Sequence, residues 1–344
     1  ASGSLVIVGH SMGGLVARSL IPFSSRIKGV IAVGAANNGS TLLMNTVNGK
    51  VYDYFSSAIK KANTAIDASL YSGIFSGVPV TTLAAPIVIP VSIYKSRTVN
   101  TTLFALKNLL SNAIGIYKFG HPCVSDMIPG SNYLTRLNSD DTNVPLLNIF
   151  GVEDHWQVVR ALGSLSNVEA VKNPVNIDQS YDLGYFRALQ SGLGFINDIQ
   201  MKHNLVYNAL GVAAVFMPWI WITRELVLKA RFNWDDMYRY LETGLHTDLA
   251  GMLGATQYKL QNYCYPAGFD LTNLTCRSAY LPYITENDGI LSRGDVVLPS
   301  RERRPVYNIR VAGVNHQEMG NHIAMRKVLD AIINQKLYGD AFGN

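Results

Sequence analysis

The decisive stretch of this chain is Leu5-Val6-Ile7-Val8, which runs directly into Gly9-His10-Ser11-Met12-Gly13-Gly14. An apolar β-branched run, a Gly-x-Ser-x-Gly turn and a helix-forming run after it predict a strand, a sharp corner and a helix. Such a corner holds Ser11 in a strained backbone conformation with its hydroxyl exposed. We expect Gly9 and Gly13 to be required, because a side chain at either position would collide across the turn. The stretch therefore predicts a nucleophilic serine.

Three more buried strands are predicted, at residues 29–35, 144–151 and 306–314, and a closing helix at about 323–336. The first strand, the helix after Ser11 and the strand at 29–35 are joined by short connections, which is typical of a parallel βαβ unit. The pattern favours an α/β protein with a parallel sheet.

Three blocks of the chain, at about 4–40, 122–154 and 284–335, resemble the α/β-hydrolase fold, and bacterial lipases in particular. The resemblance implies an α/β-hydrolase fold: a mostly parallel sheet flanked by helices, in a single catalytic domain over 1–344. Two large insertions interrupt it, a lid at about 41–121 and a cap at about 156–283. In that fold the serine follows the fifth strand. The resemblance therefore implies that the domain is N-terminally incomplete here, with its first strands upstream of this chain.

A serine hydroxyl becomes a nucleophile when a histidine accepts its proton and an acid orients that histidine. In this fold the chain order is Ser, acid, His. Gly313-Val314-Asn315-His316 resembles the histidine loop of lipases, so we favour His316 as the base over the nearby His322.

The acid has more than one candidate. Asn287-Asp288-Gly289 resembles the motif that carries the acid in several bacterial lipases, and a similar Asp-Gly motif occurs in the lecithin–cholesterol acyltransferase family. Asp154 is the alternative acid, because simpler hydrolases place theirs at the end of the preceding strand, and Glu153 is a further candidate there. Asp-Gly also favours a turn without any catalytic role.

The backbone N–H of Met12 is the predicted oxyanion-hole donor, since it follows the nucleophile at the positive end of the helix. The resemblance implies that the second donor comes from an upstream loop. Losing one donor costs about 10²–10³ in rate, so we expect this chain alone to be nearly inactive.

Composition narrows the function classes. The chain is 48% hydrophobic and only 15% charged, which favours an apolar pocket or a surface that faces lipid. Its net charge is +5 without a Lys/Arg cluster, so we expect no nucleic-acid partner. We also expect no cofactor and no metal.

Cys264 and Cys276 lie close together in a turn-rich stretch. They predict either a local disulfide or two reduced, partly buried thiols. A disulfide would indicate an oxidising compartment and hence an extracytoplasmic or secreted protein.

Residues 204–223 contain no charged side chain. The stretch is just long enough to span a bilayer, but one crossing would separate Ser11 from Asp288 and His316. Two other interpretations remain: a buried cap helix, or a lid that lines an acyl pocket or contacts a lipid interface, with Trp219 and Trp221 at the headgroup level.

The function expected from these observations is that of a serine carboxylic-ester hydrolase of the lipase type, acting on an apolar acyl ester through an acyl-enzyme. An acyltransferase or a phospholipase would use the same three residues. A non-catalytic lipid-binding protein that retains this fold is the alternative from another class.

Overall fold

The computed structural model describes residues 3–51, 122–140, 142–153, 220–267, 270–299, 304–320, 323–339 and 341–342, with individual helical positions at 53–60 and 193–216. The chain forms two compact units. Unit 1 comprises Ala1–Asn45, Ser125–Gln157 and Ala250–Asn344, and unit 2 comprises Thr46–Val124 and Val158–Leu249.

Unit 1 contains a four-stranded parallel sheet in the order β1-β2-β3-β6. The strands are β1 (Leu5–His10), β2 (Ile27–Val33), β3 (Leu146–Val152) and β6 (Val306–Ala312). Every residue of β3, and all but one of β2, is buried, as expected for central strands of a sheet covered on both faces. The predicted α/β class with a mostly parallel sheet is confirmed.

Helices flank this sheet and join its strands. They are α1 (Met12–Ser19), α2 (Thr41–Val47), α3 (Pro122–Asp126), α4 (Asn132–Ser139), α7 (Arg293–Val296) and α8 (Ile323–Ile333), with short 3-10 turns at Ile21–Phe23 and Glu318–Gly320. Each strand begins or ends within about two residues of its predicted bounds, and the closing helix ends earlier than predicted.

The two faces of the sheet each have their own apolar core. On one face Ile31 and Ile149 pack with Met325 and Ile332 of α8. On the other face Val30, Ala32 and Leu146 pack with Ala17 of α1. Because both faces are buried, each strand residue has a fixed side of the sheet, and α1 packs on one of them. The end of β1 and the start of α1 therefore meet at a defined corner.

A long antiparallel hairpin also belongs to unit 1. It consists of β4 (Thr256–Ala267) and β5 (Asp270–Ile284), and Cys264 lies opposite Cys276 in its register. Cys276 is disulfide-bonded, whereas Cys123 is an exposed free thiol. The hairpin lies within the segment predicted as the cap, yet it groups with the sheet.

Unit 2 contains α5 (Ile220–Arg239), a π-helical turn (Tyr240–Gly244) and the first residues of α6 (Leu245–Met252). The described residues between 193 and 216 are all helical as well. None of the helices in the described part of the chain combines the length and apolar character needed to cross a membrane. Most of the predicted lid at 41–121 lies outside the described residues.

Candidate active site

Ser11 occupies the corner between β1 and α1 in a left-handed backbone conformation, with φ 56° and ψ −128°. Such a conformation costs a non-glycine residue roughly 1–3 kcal/mol and persists only where its surroundings impose it. Here the Ser11 N–H donates to the carbonyl of Val33 at 2.8 Å, and the Ser11 carbonyl accepts from the N–H of Gly14 at 3.0 Å. The corner is therefore bonded both to the sheet and to the helix.

The glycines around Ser11 are not equally constrained. A Cβ atom on Gly9 would lie 2.2 Å from the backbone oxygen of Gly13, and one on Gly14 would lie 2.6 Å from the Cβ of Ala35. A Cβ on Gly13 meets nothing within 4 Å outside its own helix and chain neighbours. The prediction that Gly13 is required by a collision is thus wrong: its missing side chain would point away from the turn, and Gly14 makes the second close approach.

A chain of hydrogen bonds joins Ser11, His316 and Asp288. His316 Nδ1 lies 2.8 Å from Asp288 Oδ2, and His316 Nε2 lies 3.0 Å from Ser11 Oγ. A carboxylate only accepts, so Nδ1 carries the proton and Nε2 accepts from the Ser11 hydroxyl. His316 and Asp288 are almost completely buried, at 4% and 1% exposure, while Ser11 is partly accessible. The arrangement can remove the serine proton at a position that a substrate can reach.

The loop that follows β5 holds Asp288 in place. Asp288 Oδ1 accepts from the backbone N–H groups of Ile290, at 2.9 Å, and Leu291, at 2.6 Å, leaving Oδ2 for His316. The Asp288 carbonyl accepts from the N–H of His316 at 2.9 Å. Side chain and backbone therefore both connect the acid loop to the histidine loop, and the Asp-Gly turn does more than reverse the chain.

Asn315 shapes the loop that carries His316. Its Oδ1 accepts from the N–H groups of Gln317, at 3.0 Å, and Glu318, at 3.1 Å, and its own N–H donates to Glu318 Oε2. These bonds turn the chain immediately after β6, so that His316 points back over Ser11. Side-chain-to-backbone bonding of this kind is what asparagine commonly supplies in turns.

His10 packs against His316 from the end of β1. The ring centroids are 5.2 Å apart, and His10 Nε2–H donates to the His316 carbonyl at 3.0 Å. Partial desolvation of the ring, followed by repulsion from His316, lowers the pKa of His10. The hydrogen bond and the ring contact connect the end of β1 to the loop that carries His316.

Of the other predicted site residues, Met12 and Glu153 belong to the described part of the chain. Met12 is the first residue of α1, so its N–H lies among those without an intrahelical acceptor. Glu153 is buried, and its backbone N–H donates to the carbonyl of Asn287 at 2.8 Å. Asp154, the alternative acid, and His322, the alternative base, lie outside the described residues.

A buried network of asparagine side chains was not anticipated from the sequence. Asn37 Nδ2 donates to Asn148 Oδ1 at 2.9 Å, and Asn148 Nδ2 donates to Asn308 Oδ1 and to the carbonyl of Val296. Arg18 of α1 donates to Asn37 Oδ1 at 3.0 Å. The network links the helix behind Ser11, two strands and the segment that follows the acid loop. Asn148 within an apolar strand is the one sequence signal that could have revealed it.

An open cleft of about 740 Å³ lies beside the acid loop. Its lining includes Gln257, Tyr283, Glu286 and Arg293, and neither Ser11 nor His316 belongs to it. Glu286 accepts from Arg293 at 3.0 Å and from Arg310 of β6 at 2.6 Å, which ties the base of the loop to the strand before the histidine. Within the described residues, no cluster of three His, Cys, Asp or Glu side chains is arranged to hold a metal ion.

Comparisons of the chain with models of protein families, with characterised proteins and with solved structures found no match.

Proposed function

We propose that this protein is a serine carboxylic-ester hydrolase of the lipase type, built on the α/β-hydrolase fold. The observation that carries the proposal is the hydrogen-bonded series Ser11–His316–Asp288 at a corner where Ser11 has a positive φ. A serine held in this way is suited to nucleophilic attack, because its proton acceptor is already bonded and oriented. The parallel order of strands around the corner is compatible with this fold.

In the proposed reaction, Ser11 Oγ attacks the ester carbonyl while His316 Nε2 accepts its proton. Asp288 stabilises the imidazolium that forms, and the Met12 N–H donates to the oxyanion. The tetrahedral intermediate then breaks its bond to the alcohol oxygen, which takes the proton from His316, leaving an acyl group on Ser11. Water, deprotonated by His316, hydrolyses this acyl-enzyme and restores the serine.

An apolar acyl ester is the proposed substrate class. The chain is 48% hydrophobic, and several large apolar side chains of both units are exposed, among them Phe23 and Phe216. A bonded Cys276 supports an extracytoplasmic or secreted location, because disulfides persist in oxidising compartments.

The test is labelling of the full-length protein with a fluorophosphonate probe followed by peptide mapping. The probe forms a bond from Ser Oγ to phosphorus and expels fluoride, and it reacts only with an activated serine. We expect label on the peptide that contains Ser11, and none after Ser11→Ala. Ser19→Ala is the matched control, because Ser19 lies on the same helix and bonds only to the Val16 carbonyl among its described contacts. A folded protein that takes no label at Ser11 would instead be a lipid-binding protein.

The assignment of the acid is tested by two substitutions. Asp288→Asn keeps the shape of the side chain but removes its charge and favours the wrong histidine tautomer, so we expect kcat for a soluble ester to fall by about 10⁴. Asp154→Asn is expected to have little effect. The reverse order of the two effects would transfer the role of the acid to Asp154.

A further inference from the structure

A buried thioether lies beside the imidazole of His316. It belongs to Met319, in the 3-10 turn that follows the histidine, and this residue is only 1% exposed. A Cβ atom on Gly34, at the end of β2, would lie 2.4 Å from Met319 Cε, 3.2 Å from Met319 Sδ and 3.4 Å from His316 Nδ1. The thioether and the imidazole therefore meet at one point, on the side of the nitrogen that bonds to Asp288.

Two glycines make room for this side chain at the carboxyl ends of neighbouring strands. Gly34 follows β2 directly, Gly151 belongs to β3, and the N–H of Gly34 donates to the carbonyl of Ile149 in β3 at 2.7 Å. A Cβ on Gly151 would lie 3.3 Å from Met319 Sδ. A side chain at Gly34 would thus enter the space of the thioether, and one at Gly151 would crowd it. The sheet presents a slot without side chains, and Met319 fills it.

Hydrogen bonds hold Met319 in this slot. Its Sδ accepts from the backbone N–H of Gly151 at 3.1 Å, and its own N–H donates to the carbonyl of Asn315 at 3.2 Å. A methionine side chain has three rotatable bonds and adapts easily to irregular gaps. Here it is fixed at both ends, to the sheet by its sulfur and to the histidine loop by its backbone.

Met319 differs in position from the other buried methionine of the same core. Met325 of α8 is also 1% exposed and packs in the same apolar cluster as Met319. Met319, however, is three residues from His316 in the chain, and its thioether occupies the space next to Nδ1. A gap at that place would let the ring tilt and would admit water that competes for the bond to Asp288.

We propose that Met319 is a positioning residue for the base of the candidate site. Its thioether keeps water from the hydrogen bond between His316 Nδ1 and Asp288, and it holds the ring in the orientation in which Nε2 meets Ser11. Met319 itself moves no proton. The inference deepens the proposed function and rests on it, because His316 is the base of that reaction. A misplacement of about 1 Å in such a group can cost about 10² in rate.

The test compares three variants of the full-length protein. Met319→Ala removes the thioether, Met319→Leu keeps a side chain of similar volume, and Met325→Ala is the matched control. Because both alanine variants remove the same atoms from the same core, they should lose stability to a similar extent in urea denaturation. Where alanine at Met319 prevents folding, Met319→Val is the smaller truncation that replaces it.

Hydrolysis of a soluble short-chain ester is the first readout. We expect kcat of Met319→Ala to fall about 10–100-fold with KM unchanged, because the base is displaced and substrate binding is not. Met319→Leu should recover kcat to within about threefold of the wild type, and Met325→Ala should match the wild type. An equal loss in Met325→Ala, or a Met319→Leu variant as slow as Met319→Ala, would overturn the proposal.

Proton NMR is the second readout, and it needs no turnover. A histidine N–H that donates to a buried carboxylate resonates far downfield of the amides and broadens when water reaches it. We expect this signal in the wild type, in Met319→Leu and in Met325→Ala, and its broadening or loss in Met319→Ala. Loss of the signal in Asp288→Asn assigns it to His316, whose Nδ1 lies 2.8 Å from Asp288.

The two readouts separate this inference from the proposed function. A wild type that hydrolyses no ester but shows the expected NMR pattern would refute the enzyme and leave the role of Met319 standing. A wild type that hydrolyses esters, together with a folded Met319→Ala variant that keeps both the signal and kcat, would refute only the inference.

Discussion

At the scale of single residues, the turn around Ser11 leaves no space for a side chain at Gly9. The corner works because β1 and α1 approach each other at a position without a side chain, where Gly9 and Gly13 are nearly in contact. The strain of the positive φ is offset by bonds to Val33 and Gly14. Substitutions that enlarge the turn therefore act on stability and on the serine together.

Gly9→Ala should be far more damaging than Gly13→Ala. The added methyl of the first variant would lie 2.2 Å from a backbone oxygen, so the corner must shift. We expect a loss of about 2–4 kcal/mol in unfolding free energy and loss of probe labelling at Ser11. Gly13→Ala should change stability by less than about 1 kcal/mol, in the stabilising direction, because alanine favours a helix. Urea denaturation of both variants checks the pair, and equal losses would contradict the geometry of the turn.

The lowered pKa of His10 predicts how the unfolding free energy depends on pH. Its pKa is lowered in the folded protein, so between that value and about 6.5, the ordinary value, the unfolded chain binds more protons. Its contribution to stability is therefore complete above about pH 6.5 and is lost as the pH falls toward the lowered value. His10→Gln should flatten this part of the pH dependence of the unfolding free energy. Identical pH slopes for the variant and the wild type, measured by urea denaturation, would show that His10 does not titrate differently on folding.

At the scale of elements, a buried polar network lies inside the apolar sheet that carries the candidate site. Asn148 is completely buried in β3, where valine or isoleucine would suit the strand better. Its side chain bonds on both sides, to Asn37 and to Asn308. A satisfied buried network specifies one arrangement of the elements it joins, here α1, the loop after β2, β3, β6 and α7.

Asn148→Ala should cost about 2–4 kcal/mol in unfolding free energy, because it leaves buried groups of Asn37, Asn308 and Val296 short of a partner. Asn334→Ala is the matched control, since Asn334 is exposed and donates only to Asp330 of α8 among its described contacts. That control should remain within about 0.5 kcal/mol of the wild type. A similar small change for Asn148→Ala, measured by urea denaturation, would mean that the network is dispensable.

Much at the element scale was predictable, and the reason is periodicity. The strands of the sheet are short apolar runs bounded by turn residues. The corner at Ser11 has its own local motif, Gly-x-Ser-x-Gly. The positions of both therefore follow from neighbouring residues in the sequence. The hairpin β4–β5 was missed because polar and apolar side chains alternate only briefly, from Gln257 to Gln261, and the rest of the stretch was interpreted as turn-rich. The contacts of Asn37 and Asn148 were missed because they join residues more than a hundred positions apart.

At the scale of the whole molecule, Ser11, Asp288 and His316 were predicted as one site, but their spacing in the sequence alone did not group them. Ser11, Asp288 and His316 come from the first and last segments of unit 1, and only the tertiary fold brings them within 3.0 Å. The resemblance to lipases supplied the pairing, whereas spacing alone left His322 and Asp154 open.

The redox state of the whole chain gives a prediction that does not depend on activity. Without reductant, an alkylating reagent should modify one cysteine, the exposed Cys123. After reduction it should modify Cys264 and Cys276 as well, because these two lie opposite each other in the hairpin and Cys276 is bonded. Intact-mass measurement counts the modified thiols. Three modified thiols before reduction would contradict both the disulfide and the proposed oxidising compartment.

The discontinuity of unit 1 has a consequence for synthesis on the ribosome. The histidine that bonds to Ser11 follows it 305 positions later in the chain. At a rate of synthesis of about 5–20 residues per second, roughly 15–60 s pass between the synthesis of Ser11 and that of His316. Throughout that interval the Ser11 hydroxyl is an ordinary alcohol with no activating partner. A nascent chain that ends before His316 therefore lacks the hydrogen-bonded series Ser11–His316–Asp288 on which the proposed activity depends.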